Sequence, residues 1–123
     1  MLFVSGQVGL IPGVSDTFEH QHGHRSPTAD VLLLQTKDFA GGDDVEAQTE
    51  QVMLNLGAIL SAGGSSFANV VKTTVLLADM KDFQKVNVIY GKYFPEQPPA
   101  RACFAVKTLP LDAKVEIDAV AIV

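Results

Sequence analysis

Only two segments of this chain repeat with helical period, and two helices are too few to cover both faces of the sheet its strand-like runs imply. The first helix is expected to begin at Asp43, whose side chain can cap, with Glu46 three residues on at capping-box spacing. Val45, Thr49, Val52, Met53, Leu56, Ile59 and Leu60 follow on one stripe, and Gly63-Gly64 ends it. The second is expected from Met80 to Phe94, with Phe83, Val86, Tyr90 and Tyr93 or Phe94 on its apolar stripe. Pro95 stops it, and Pro98-Pro99 keep the chain extended.

The strand candidates are Leu2 to Leu10, Val31 to Gln35, the β-branched run Val70 to Ala78, Ala100 to Thr108, and Lys114 to Val123. Leu109-Pro110-Leu111-Asp112 is the turn between the last two. The order is β, loop, β, α, β, α, β, β. This predicts an α+β fold, a two-layer sandwich with a mixed sheet and both helices on one face. The last strand sets Val115, Ile117, Ala119, Ala121 and Val123 against Lys114, Glu116, Asp118, Val120 and Ile122, so neither of its faces is uniformly polar. A sheet with apolar residues on its uncovered side points to a subunit interface there.

A chain of 123 residues, 47% hydrophobic and 19% charged, reads as one globular domain spanning 1–123. No apolar run approaches the ~18 residues of a membrane helix, and Met1-Leu2-Phe3-Val4 lacks the features of a signal or transit peptide. The net charge of −5 argues against gripping nucleic acid through bulk charge. One cysteine permits no internal disulfide, which fits a reducing compartment: the cytoplasm is expected, with a mitochondrial address left open.

The composition departs from this pattern in Pro12 to Asp30, which holds all three histidines and few large apolar groups. It reads as a surface loop, longer than compact domains usually carry, and 11–42 as a whole reads as an inserted loop plus a short strand. His20, His22 and His24 alternate, and extended backbone would put their rings on one side. Without a thiolate or carboxylate at ligand spacing, no structural metal is expected there. Gly63-Gly64-Ser65-Ser66 lacks the lysine of a phosphate loop.

Four positions stand out chemically. Arg101 follows a stiff Pro98-Pro99-Ala100 lead-in, which suits either two-point capture of a carboxylate or a solvated strand start. Glu116 and Asp118 share a strand face, either as a partly buried pair with pKa values pushed apart or as a solvent-facing edge. Asn87 falls on the stripe of the second helix, where a buried amide needs a partner, ligand or backbone. Cys103 lies two residues beyond Arg101 on the same face, either a nucleophile or a small core residue.

The chain resembles the RidA family, also called YjgF/YER057c/UK114. The resemblance rests on FVSGQ (Phe3–Gln7), DVEAQTEQVMLNLGAIL (Asp44–Leu60), VVKTTVLLADMKDF (Val70–Phe83), VNVIYGKYFP (Val86–Pro95), PPARACFAV (Pro98–Val106) and LPLDAKVEIDAVA (Leu109–Ala121). It covers nearly everything outside 11–42. It implies a chorismate-mutase-like fold, a homotrimer with ligand clefts between subunits, and cofactor-free, metal-free hydrolysis of enamines and imines such as 2-aminoacrylate to 2-keto acids and ammonia. It also implies that Arg101 binds the substrate carboxylate, Glu116 orients or activates water, and Cys103 marks where backbone groups hold the reacting end. Asn87 and Ser5 with Gly6 would line the pocket. Family members usually carry a longer N-terminal segment with a Gly-Pro-Tyr stretch and a first strand, which this sequence is expected to lack. The readings kept beside the enzyme are a non-catalytic, RNA-directed or chaperone-like trimer, and a diverged paralogue that retains only the fold.

Overall fold

The computed structural model describes residues 1–9 and 42–123. Strand β1 (Leu2–Val8) opens the chain, and its ladder with β4 (Val115–Ala121) is antiparallel. One extra residue enters between Val4 and Gln7, so Ser5 and Gly6 form a bulge. Gly6 sits at φ +53°, a left-handed conformation that glycine adopts without steric penalty.

Helix α1 (Val45–Ala62) is capped by Asp44, not Asp43: the Asp44 carboxylate accepts the Glu46 N–H at 3.0 Å. Glu46 therefore stands in the first turn, where a negative charge suits the helix dipole, and no capping box forms. The C-terminus closes as the glycines predict. Gly64 at φ +79° lets its own N–H reach Ser61 O and the Ser65 N–H reach Leu60 O.

β2 (Val70–Leu77) runs parallel to β3 (Ala100–Ala105), and the crossover between them contains helix α2 (Phe83–Tyr93). The expected start of this helix at Met80 is a separate 3-10 turn, Met80–Asp82, because the Asp79 carboxylate takes the Lys81 N–H. The sheet order is β1-β4-β2-β3. β4 is thus inserted between β1 and β2, antiparallel to both, and the Pro110–Asp112 turn links strands that are not neighbours. The two helices and the mixed sheet are the predicted α+β arrangement, with four strands among the described residues. The strand expected at Val31–Gln35 and the rest of the insertion up to residue 41 lie outside them.

The core follows the period-2 pattern of the strands. Val115, Ile117, Ala119 and Ala121 of β4, Thr73, Val75 and Leu77 of β2, and Val4 of β1 are buried beneath Val52, Met53, Leu56 and Leu60 of α1 and Val86, Ile89 and Tyr90 of α2. Truncating one of these large side chains to alanine costs about 2–5 kcal/mol. Gln48 is fully buried yet satisfied, donating to Gly42 O and accepting the Lys114 N–H, which ties the start of α1 to the entry of β4.

The opposite face carries Phe3, Ser5, Lys72, Thr74, Phe104, Glu116, Asp118 and Val120. Val8, Leu109 and Ala113 form a small cluster with Leu76, Val106 and Leu111 over one end of it. The rest is left uncovered by the described residues, with Phe3 66% and Phe104 49% exposed.

Candidate active site

Arg101 stands at the start of β3, in register with Thr73 of β2, which is in turn in register with Ala119 of β4. Its side chain therefore emerges on the helix side of the sheet. There α2 presents Phe83, Asn87 and Tyr90 on one stripe, spaced four and three residues apart. The guanidinium carbon lies 4.9 Å from the Tyr90 ring centroid and 5.6 Å from that of Phe83. Nη1 donates to Asn87 Oδ1 at 2.7 Å. Tyr90 is itself fixed, because its hydroxyl and that of Thr73 are 2.6 Å apart in the core. Burial pushes the Tyr90 phenol up, against the opposing pull of the Thr73 hydrogen bond and the Arg101 charge, so the ring under Arg101 is neutral.

Cys103 lies two residues along β3 on the same face, half-buried at the margin of the core. Burial raises its thiol and the nearby Arg101 charge only partly offsets this, so the sulfur is protonated at neutral pH.

The second group of residues lies across the sheet. The β1 bulge turns the Gly6 N–H toward Asp118, whose Oδ1 accepts it at 2.5 Å. A Cβ on Gly6 would sit 3.0 Å from Glu116 Oε1, so the bulge and the acid are in close approach. Burial first, and the Asp118 carboxylate second, raise Glu116 above the usual 4.5. Phe3, Ser5, Lys72, Thr74, Asp118 and Val120 line a shallow depression beside it.

The predicted site residues thus fall into two sets. Arg101, Asn87 and Cys103 share the helix side, and Ser5, Gly6 and Glu116 share the uncovered side. Asn87 does find the partner that its amide needs, and that partner is Arg101. Sequence reasoning placed Phe83 and Tyr90 in the core stripe and did not single out Thr73. The usable signal was that the stripe carrying Asn87 faces the edge strand that carries Arg101. His20, His22 and His24 lie outside the described residues, and among those described no three metal-ligating side chains cluster. No helix of the described residues is long and apolar enough to cross a membrane.

The sequence profile of the family described as endoribonuclease L-PSP matches residues 1–123, end to end. The chain belongs to this family, the RidA family. Among RidA relatives, the chloroplastic Reactive Intermediate Deaminase A of Arabidopsis thaliana is 43% identical over 98% of this chain and 52% of its own length. The Bos taurus protein named 2-iminobutanoate/2-iminopropanoate deaminase is 49% identical, over 98% of this chain and 72% of its own. The chain therefore spans about half the length of the plant relative and close to three quarters of the bovine one. RidA-type crystal structures agree in fold. An L-PSP protein of Entamoeba histolytica superposes with a TM-score of 0.76 at 41% identity, covering 98% of this chain and 78% of that one. E. coli TdcF with bound serine gives 0.72 at 31%, covering 98% and 79%.

Proposed function

We propose that this chain is the subunit of a deaminase that hydrolyses 2-imino acids, and their enamine tautomers such as 2-aminoacrylate, to 2-keto acids and ammonia. The observation that carries the reading is the seat of Arg101: a guanidinium fixed by two rings and one neutral amide, with donors left for a substrate carboxylate. The deaminase names of the relatives and the serine bound to TdcF point the same way.

Arg101 binds the carboxylate and orients the adjacent imine carbon, which is already electrophilic. Glu116 holds a water on the other side of the cleft. As the water oxygen bonds to the imine carbon, Glu116 takes one water proton and passes it to the nitrogen, giving a neutral carbinolamine and restoring the carboxylate. Glu116 then takes the hydroxyl proton and passes it to the amine as the C–N bond breaks, so ammonia leaves and the carbonyl forms. Backbone groups at Cys103 hold the reacting end, and Ser5 and Gly6 wall the pocket. Neither redox change nor group transfer is needed, so positioning and one proton shuttle supply the catalysis.

Arg101 and Glu116 of one chain cannot share a substrate through the sheet. The proposed active assembly is the homotrimer that the family resemblance implies, with the Arg101 side of one chain meeting the Glu116 side of the next, and exposed Phe3 and Phe104 support burial of that face. The ribonuclease wording of the family description finds no support in charge, since nine basic side chains face fourteen acidic ones.

The test is release of keto acid from 2-aminoacrylate generated enzymatically, with and without the protein. Acceleration over buffer is expected. No acceleration, from protein shown to be folded, contradicts the reading.

A further inference from the structure

Arginines that sit against carboxylates are already neutralised, and Arg101 is held differently. Its partners among the described residues are an uncharged amide and two aromatic faces. A ring face fixes the plane of a guanidinium, and a hydrogen bond at one Nη fixes its rotation within that plane. Neither consumes the positive charge. The α2 stripe delivers all three contacts from one rigid helix, and the Thr73–Tyr90 hydrogen bond pins the central ring to β2, the strand paired with the one bearing Arg101.

We propose that Asn87, Tyr90 and Phe83 are positioning residues that form a charge-neutral cradle for Arg101, keeping its fork oriented and its charge free for an incoming carboxylate. This rests on the deaminase reading for its substrate, but it is a separate statement about how the receptor is built. Neutrality is the essential property at position 87. Aspartate has nearly the same shape as asparagine and would place an anionic oxygen where Asn87 Oδ1 now stands, 2.7 Å from Nη1. It would form an internal ion pair and compete with substrate. Leucine would remove the hydrogen bond but leave the charge available.

A merely structural role for Asn87 would make the near-isosteric aspartate the milder change. The cradle predicts the reverse. Pyruvate serves as the carboxylate probe by titration calorimetry, alongside kcat and KM for 2-iminopropanoate. Asn87→Leu is expected to weaken pyruvate by about 3- to 10-fold and Asn87→Asp by roughly 10-fold or more beyond that. Tyr90→Phe retains the ring and is expected to stay within about 3-fold, whereas Tyr90→Leu loses roughly 3- to 30-fold. Phe83→Leu, on a half-buried ring, repeats the test at a smaller amplitude where Tyr90→Leu fails to fold. These losses should appear in KM more than in kcat, because the carboxylate contact is the same in ground and transition states. An active parent whose pyruvate affinity and KM do not respond to the substitutions, or respond more to leucine than to aspartate at 87, overturns the cradle and leaves the deaminase reading standing. A parent with no turnover, in which pyruvate binding still falls in the predicted order, overturns the deaminase reading and supports the cradle.

Discussion

Arg101 and Glu116 project from opposite faces of the same sheet. Arg101 shares a row with Thr73 and Ala119, whereas Glu116 shares a row with Leu76 and Val8, one pleat out of phase. The two ionisable groups of the proposed chemistry are therefore insulated from each other within a chain. The cation stays free of the acid, and the acid's pKa answers to burial and Asp118.

Arg101→Lys keeps the charge but loses the planar fork and its stacking on Tyr90. A loss of roughly 2–5 kcal/mol in transition-state stabilisation is expected, on the order of 30- to 5,000-fold in kcat/KM. Steady-state rates of keto-acid formation check it, and a lysine variant equal to the parent would remove the clamp.

Glu116→Gln should separate activity from stability. The folded pKa of Glu116 is raised, so the folded chain binds its proton more tightly than the unfolded chain does. Stability attributable to this group is present below the unfolded value and lost as pH rises through the folded one. Glutamine escapes that loss, so E116Q should melt higher than the parent at pH 7, with the gap closing below about pH 4.5. Turnover should collapse in the same variant, and the acid limb of the parent's kcat/KM profile should lie above the usual glutamate range. Melting curves across pH, set beside the rate profile, test both halves.

Gly6→Ala forces a side chain into the left-handed region and against Glu116 Oε1. About 1–2 kcal/mol of stability and on the order of 10-fold in kcat should be lost. Gly42→Ala is the control, since Gly42 has φ +61° and a Cβ there would meet none of the described residues within 4 Å. It should show the backbone cost in denaturant melts and leave turnover unchanged.

The layer architecture was legible because it rests on patterns that tertiary contacts rarely override: the stripe from Val45 to Leu60, the alternation from Val115 to Ala121, and Gly63-Gly64. The helix start was displaced by one residue because Asp43 and Asp44 are equally good caps by type, and only the path of the backbone selects Asp44. The strand order was not legible. Nothing in Ala100–Ala105 or Val115–Ala121 says that β4 inserts between β1 and β2. For the same reason, Arg101 and Glu116 could be named without knowing that the sheet separates them, and Tyr90 could be placed in the core without knowing that its outer face supports Arg101.

Cys103→Ala should leave kcat/KM within about 3-fold, because a thiol raised by burial is protonated and a poor nucleophile at neutral pH. Slow alkylation by iodoacetamide at pH 7.5 is expected for the parent. A loss near that of Arg101→Lys would assign the sulfur a direct part in the reaction.

The most direct test of a site made from opposite faces of two chains is complementation. Arg101→Lys and Glu116→Gln homotrimers are each expected to be nearly inactive. The randomly reassembled equal mixture of the two variants should regain about one quarter of the parent rate, since about that fraction of all its interfaces pairs an intact Arg101 with an intact Glu116. Mass spectrometry of the intact assemblies verifies the mixing. Recovery near that level is the predicted result, and mixed trimers no more active than their parents would contradict the account.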